Sequence, residues 1–363
     1  MSSVLAFLVL AAYWPGIAGP ATTPRWVALF TFVPLLLFFA DRVRLTLSHV
    51  AGLAFIAWCA VTLAWSVSPL DGIGALAELA TIGAVFALGS LSDDLTPLYR
   101  GAAVGIGVSS VLVIGQWLHL IDIPAFYLPA ALFVNANHMG EAAALILVAC
   151  MFNRIWWGVI ASAPALLLSG SRAAVLAVVI ACLYWLWAHR LRATAAVCCV
   201  LALWLAVAAF FIVKPDMNGQ HERLAIWSDT ARNLTFTGQG IGSYWEAFPD
   251  IAVATDISRV RPDHAHNEFL DIAFETGAVG FMLFLAFVAT LRGPFNVERA
   301  VLIALMVEAC FAFPFSNAST AFLGSVAAGA AARSRRDIRS EVVAGRDRIR
   351  AWLAAGKAAQ TAV

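Results

Sequence analysis

Residues 259–291 read RVRPDHAHNEFLDIAFETGAVGFMLFLAFVATL. The first ten residues hold Arg259, Arg261, Asp263, His264, His266 and Glu268; the next 23, from Phe269, carry only Asp271 and Glu275 as charges. A helix needs about 20 mainly apolar residues to cross a hydrocarbon core about 30 Å thick. The stretch therefore predicts a membrane-spanning helix entered from a polar loop. Outward from it, apolar runs recur at about 4–19, 25–40, 48–66, 73–91, 99–120, 138–152, 155–169, 172–188, 193–213, 300–314 and 318–332. With 269–291 they predict an all-α polytopic membrane protein of about twelve transmembrane helices.

Composition supports this reading. The 363 residues are 62% hydrophobic and 12% charged, with a mean hydropathy of +0.84; soluble domains average roughly 45–50% and about 25%. An ordinary soluble enzyme, an acidic disordered chain and a basic nucleic-acid binder are excluded. The formal net charge of +1 offers no long-range attraction to polyanions. All six cysteines (Cys59, Cys150, Cys182, Cys198, Cys199, Cys310) fall in apolar runs, where they are expected to pack as small hydrophobes rather than form disulfides or a metal site. The N-terminal apolar run lacks preceding basic residues and is read as a retained first span, not a cleaved leader.

The charges cluster. Residues 214–266 and 333–363 together hold 23 of the 45 charged side chains. The chain thus divides into a membrane domain, 1–332, with one long loop (214–266) between spans nine and ten, and a basic tail, 333–363. In the tail Ile338, Val342, Ile349 and Leu353 recur at near-helical spacing, so an amphipathic helix on anionic lipid is expected. With a cytoplasmic N-terminus, every later inner segment carries arginine: Arg42 and Arg44, Arg100, Arg154, Arg190 and Arg192, Arg292 and Arg299, then the tail. By the positive-inside rule, both termini are cytoplasmic and the long loop faces outward, toward the periplasm in a cell with two membranes.

Charge placed against that bias invites a functional reading. Arg172 ends the stretch Ser169-Gly170-Ser171-Arg172 at the outer end of a span; it reads either as a snorkelling interface arginine or as an anion binder. Arg223, in His221-Glu222-Arg223 ahead of Trp227, reads equally as a solvated charge or a phosphate clamp. The glycines of Thr237-Gly238-Gln239-Gly240-Ile241-Gly242-Ser243-Tyr244 lack the strand–turn–helix context of a nucleotide loop; they serve tight turns or close approach. Asp263, His264 and His266 are of metal-ligating types, but a histidine acting as a base needs only one ring near a hydroxyl, at a pKa already close to operating pH. Glu268, Asp271 and Glu275 form an acidic stripe on one helix face, expected to pair with nearby arginines or to orient His266 and Arg223. Gly277 and Gly280 are expected to let another helix approach. Glu78, Glu141 and Glu308 lie within spans as internal partners with no assigned role.

His266-Asn267, nine residues, then Gly277-Ala278-Val279-Gly280 resembles the His-Asn-x9-Gly-x-x-Gly signature of the bacterial O-antigen ligase/O-antigen polymerase superfamily. The segment ending at Arg172 is similar to that family's Ser-Arg motif, and Phe133-Val134-Asn135-Ala136-Asn137-His138 to its Asn-containing turn before a span. Arg223, Trp227 and Gly238–Tyr244 resemble its outer-loop region. The resemblance implies a type C membrane glycosyltransferase that needs no metal or other cofactor. It would sit in the bacterial inner membrane, with its active site toward the periplasm. The donor would be a glycan on undecaprenyl diphosphate and the acceptor a hydroxyl of lipid A–core. Its activity-bearing residues map to Arg172, Arg223 and His266. Arg259, Arg261, His264, Asn267, Asn137, Trp227 and Tyr244 are expected to bind diphosphate or glycan. A polymerase joining lipid-linked O-antigen, capsule or exopolysaccharide repeats, with a chain-length regulator as a further partner, is the alternative. A lipid-linked sugar transporter is a second; its mark would be inverted repeats, and none is visible. A purely structural assembly subunit would leave Arg172, Arg223 and His266 without a common purpose.

Overall fold

The structure, a computed structural model, describes residues 3–14, 23–40, 43, 45–124, 129–133, 135–189, 218–258, 261–291 and 296–333. The expected ninth span (193–213), the tail beyond Arg333 and Arg259 lie outside them. The described residues are helical, with no β-strand: α1 (Ser3–Ala11), α2 (Thr23–Phe38), α3 (Leu47–Thr62), α4 (Pro69–Leu91), α5 (Thr96–Trp117), α6 (Ala136–Phe152), α7 (Trp156–Ser169), α8 (Arg172–Ala188), α9 (Asn218–Arg232), α10 (Tyr244–Ile251), α11 (Glu268–Thr290), α12 (Val297–Ala309) and α13 (318–333). Eleven of the twelve expected runs overlap one of these helices, the first (4–19) only as far as Ala11 and the run 300–314 only as far as Ala309. Four segments are long and apolar enough to cross a membrane: α3 with the turn to Trp65, α4, α5 and α11. The helices α2, α6, α7 and α8 are shorter, at 14–17 residues.

The short helices make the core. Every residue of α6 from Met139 to Cys150 is buried, because it packs against α5, α7, α8 and α12. Small side chains permit this. A Cβ on Gly158 of α7 would lie 2.6 Å from Cys150 Sγ and 3.1 Å from Ala103 Cβ. By contrast, Val50, Leu53 and Val61 of α3 point outward, each more than half exposed, as lipid-facing positions do.

The helix α11 carries the feature that shapes the long loop. Gly277 sits inside it at φ 69°, ψ −173°, so the helix is kinked there. The carbonyls of Phe274 and Glu275 accept main-chain N–H groups from Gln239 (2.9 Å) and Gly240 (2.8 Å) instead. The indole of Trp58 donates to Thr276 O at 2.8 Å. The approach is backbone to backbone. A Cβ at Gly238 would meet Gly277 N at 2.4 Å, and one at Gly277 would meet Gly238 N at 2.5 Å. Gly277 therefore admits a loop, not the helix that the sequence led one to expect; Gly280 is the one that faces helix α3, through Trp58. The three alternating glycines also meet the expectation of tight turning, with φ of 78°, 96° and 71° at Gly238, Gly240 and Gly242.

The positive-φ, extended conformation of Gly277 is essentially restricted to glycine and costs a residue with a Cβ roughly 1–3 kcal/mol before any clash. Gly277→Ala is therefore expected to lower the melting temperature of the detergent-purified protein markedly. Gly74→Ala, which meets nothing within 4 Å, is expected to leave it unchanged. Equal melting temperatures would show that the glycine loop does not depend on the kink.

Candidate active site

The segment His264–Glu268 is fixed atom by atom. Ala265 N donates to Asp271 Oδ1 (2.8 Å), and Ala265 O accepts the Trp227 indole N–H (2.8 Å). With both main-chain polar atoms of Ala265 held, the rings on either side have defined directions. His266 adopts φ 53°, a conformation uncommon for a residue with a side chain. Asn267 caps α11, its Oδ1 accepting Leu270 N, while its Nδ2 donates to Cys310 O at the end of α12 (both 3.1 Å). The Glu268 carboxylate accepts Phe315 N at 3.2 Å.

These bonds gather three histidines around one ring. His264 stacks on Phe313 at 4.4 Å between centroids, with His266 at 5.2 Å and His138, from α6, at 5.3 Å. The imidazole of His264 also lies 3.6 Å from Asp271 Oδ2. Above them, Arg223 of α9 is half-buried and donates to Phe311 O at 3.2 Å. Burial lowers its pKa, against which the charge of Glu141 raises it; the charge of Arg172 lowers it further. Arg223 in turn acts on His266. Arg172, Arg223 and His266, far apart in sequence, thus share one electrostatic neighbourhood.

Local sequence places Arg172 there. Gly170 (φ 63°) ends α7, Ser171 caps α8 by accepting Ala174 N, and Arg172 is the first helical residue. Gly140 lets α6 press onto this turn: a Cβ there would sit 2.3 Å from Ser169 Oγ and 2.9 Å from Ser171 Cβ. The Asn-containing turn starts α6 one turn before Gly140, with Asn135 Oδ1 accepting Asn137 N. Half-buried Asn137 is one turn from Glu141 and follows that cap.

The two neighbouring histidines of the long loop, His264 and His266, are driven apart electrostatically. Burial lowers the pKa of His264, but the facing Asp271 carboxylate and the charges of Asp263 and Glu268 outweigh it, and the pKa rises to about 9. His266 is pushed down to about 4 by burial, then by the Arg223 charge, which together exceed the opposing pull of Asp263. Near neutral pH one ring is a cation and the other a free base. Such separation of paired titratable groups is how acid and base roles are assigned within one site.

Other expectations need correction. Arg261 does not reach this cluster. Its guanidinium lies 4.2 Å over the Trp245 ring and donates to Trp245 O (3.3 Å) and Glu246 Oε2 (3.4 Å), at a well-exposed position. Tyr244 is 1% exposed, packs on Phe248 and Phe274, and shares its hydroxyl with Thr230 at 2.8 Å; it is core, because α9 and α10 need an apolar centre. Trp227 spends its indole N–H on Ala265. The acidic stripe pairs with main chain rather than with arginines. Besides the bonds of Glu268 and Asp271 above, Glu275 accepts Gly242 N (3.0 Å) and Tyr244 N (3.1 Å). Its partners are the N–H groups that a tight glycine loop leaves free. Among the described residues, no three histidine, cysteine, aspartate or glutamate side chains converge on a metal position.

Two residues had been given no role. Phe313 has no motif signal. Arg25 has one: the arginine alternation puts it, with Arg172, on the expected outer side. It is wholly buried, with its guanidinium 3.8 Å over the Phe133 ring.

Histidine ring-proton NMR of the purified protein is expected to show one ring neutral at pH 6 and another still protonated at pH 8. Asp271→Asn should return the latter, His264, toward about 6.5. The His264 contribution to stability is fully present below about pH 6.5 and is lost as the pH rises through about 9. His266 acts in the opposite sense: stability falls as the pH drops from about 6.5 toward about 4, where the folded ring finally takes a proton.

No curated protein matches the chain. The family model described as O-antigen ligase matches residues 157–285, a stretch that includes Arg172, Arg223, His266 and the Gly277–Gly280 pair. Over this stretch, about a third of the chain, the sequence is similar to the O-antigen ligase family.

Proposed function

We propose that the protein is an O-antigen ligase-type membrane glycosyltransferase. It moves a glycan from undecaprenyl diphosphate to a hydroxyl of lipid A–core at the periplasmic face of the inner membrane. The observation that carries this reading is a histidine held unprotonated, His266, in the electrostatic reach of Arg223, which is in turn within reach of Arg172. The matched family supports the reaction class, and the arginine alternation supports twelve crossings with both termini inside.

The chemistry follows from charge. As the acceptor oxygen bonds to the anomeric carbon, the bond to the diphosphate oxygen breaks on the opposite face, and the configuration inverts. The electron pair goes to the diphosphate, whose growing charge two guanidiniums receive without needing a metal. Groups already oriented in a low-dielectric site do this without reorganising. The hydroxyl proton passes to the free nitrogen of His266. Imidazolium at His264, balanced by Asp271, adds positive charge to the same cluster. The polyprenyl chain occupies a groove between helices.

His266→Ala is expected to lower transfer by about 10²–10⁴-fold, the usual worth of a positioned base, and Arg223→Ala by about 10²–10³-fold, with membrane insertion intact. Arg172→Lys should also impair turnover, since lysine offers only a point charge. Wild-type output from all three would remove the assignment. Activity should survive prolonged EDTA treatment; loss reversed by one divalent ion would overturn the metal-free mechanism. In a deletion strain, full-length lipid-linked polymer beside bare lipid A–core is the expected result. Accumulated single repeats would instead identify a polymerase.

A further inference from the structure

A second set of polar groups adjoins this cluster and has no part in the mechanism above. Arg25 is 0% exposed. Its Nη2 donates to Leu132 O at 2.9 Å, but Nε and Nη1 have no hydrogen-bond partner among the described residues. Asn317 is also 0% exposed; its Oδ1 accepts Ser319 N, and its Nδ2 is left without an acceptor. In His138 the buried Nδ1 is likewise unpartnered.

Contacts of their chain neighbours link the three. Trp26, beside Arg25, donates its indole N–H to Ser316 O (3.4 Å), next to Asn317. Phe313, four residues earlier, lies against the His138 ring. Arg25 is among the charges that act on His138, as are His264 and His266. Each orphan atom is a donor or, for His138, a donor in one tautomer.

Buried donors left unsatisfied are costly, and a guanidinium taken from water without a counter-charge is more so. A cluster lacking only acceptors is completed by an oxyanion. We propose that Arg25, His138 and Asn317 form a buried oxyanion subsite continuous with the Arg172–Arg223–His266 site. It takes either a phosphate group of the lipid-linked donor or the carboxylate of an acidic sugar. The inference rests on the proposed glycosyl-transfer reading. It adds a third arginine, from α2, to the two supplied by α8 and α9.

The full-length protein in detergent would be titrated with inorganic pyrophosphate and, separately, with glucuronate, following tryptophan fluorescence. Arg25→Gln and Asn317→Leu are each expected to weaken one of the two anions tenfold or more. Arg100→Gln, at an exposed position on α5, is expected to bind both as wild type does. The anion that weakens identifies the source. Asn317→Leu keeps the test open if Arg25→Gln fails to fold. Wild-type affinity for both anions in the two variants would overturn the subsite and reduce Arg25 to an anchor for the turn at Leu132. If Arg223→Gln alone then lost pyrophosphate, the transferase reading would survive that failure. If wild-type protein bound neither anion, both readings would fall.

Discussion

A helix within a membrane has to satisfy its own backbone, and α11 does not do so alone. At Gly277 it kinks, and the carbonyls before the kink go to the main chain of Gln239 and Gly240. Irregular backbone at such depth is tolerated only where other protein covers it. The covering element is the glycine loop, and only residues without a Cβ come this close. Everything outward of α11 inherits its position from that contact. Glu275 then binds the loop at Gly242 and Tyr244, Tyr244 packs on Phe274, and α10 is set against α11.

Within that frame the chemistry is divided by environment rather than by residue type. His264 and His266 are two residues apart, yet one faces Asp271 and the other faces Arg223. The first is held as a cation and the second is denied a proton. A buried imidazole beside a guanidinium is a weak base, but it is a base at every physiological pH. Its partner charges are supplied by helices from distant parts of the chain, so the site exists only when α8, α9 and α11 are assembled.

Much of this was legible in the sequence. Apolar runs mark the helices of the membrane domain, because burial in lipid or in a helical core imposes the same composition; α9 and α10, in the polar loop, carry no such run. Arg172, Arg223 and His266 stood out because charge against a topological bias needs a reason, and the fold brings their electrostatics together. The acidic stripe was read with the right spacing; of its two expected roles, Asp271 serves the orienting one through Ala265 N, next to His266, while pairing with arginines gives way to the N–H groups of Gly242, Tyr244 and Phe315, which only the tertiary fold supplies. Tyr244 looked like a ligand-facing aromatic, since sequence cannot say which side of a short loop helix becomes its core. Phe313 carried no polar signature at all. Arg25 carried the same signature as Arg172, and the argument applied to one extends to the other.

The tether at Ala265 has a mechanical consequence. Its carbonyl is gripped by Trp227 of α9, the helix that also bears Arg223, and its amide by Asp271 of α11. A shift of α9 that repositions the guanidinium also drags on the peptide next to His266. The guanidinium of Arg223 and the ring of His266 are thereby geared to each other, and in the proposed reaction that gearing would couple the leaving-group clamp to the proton acceptor.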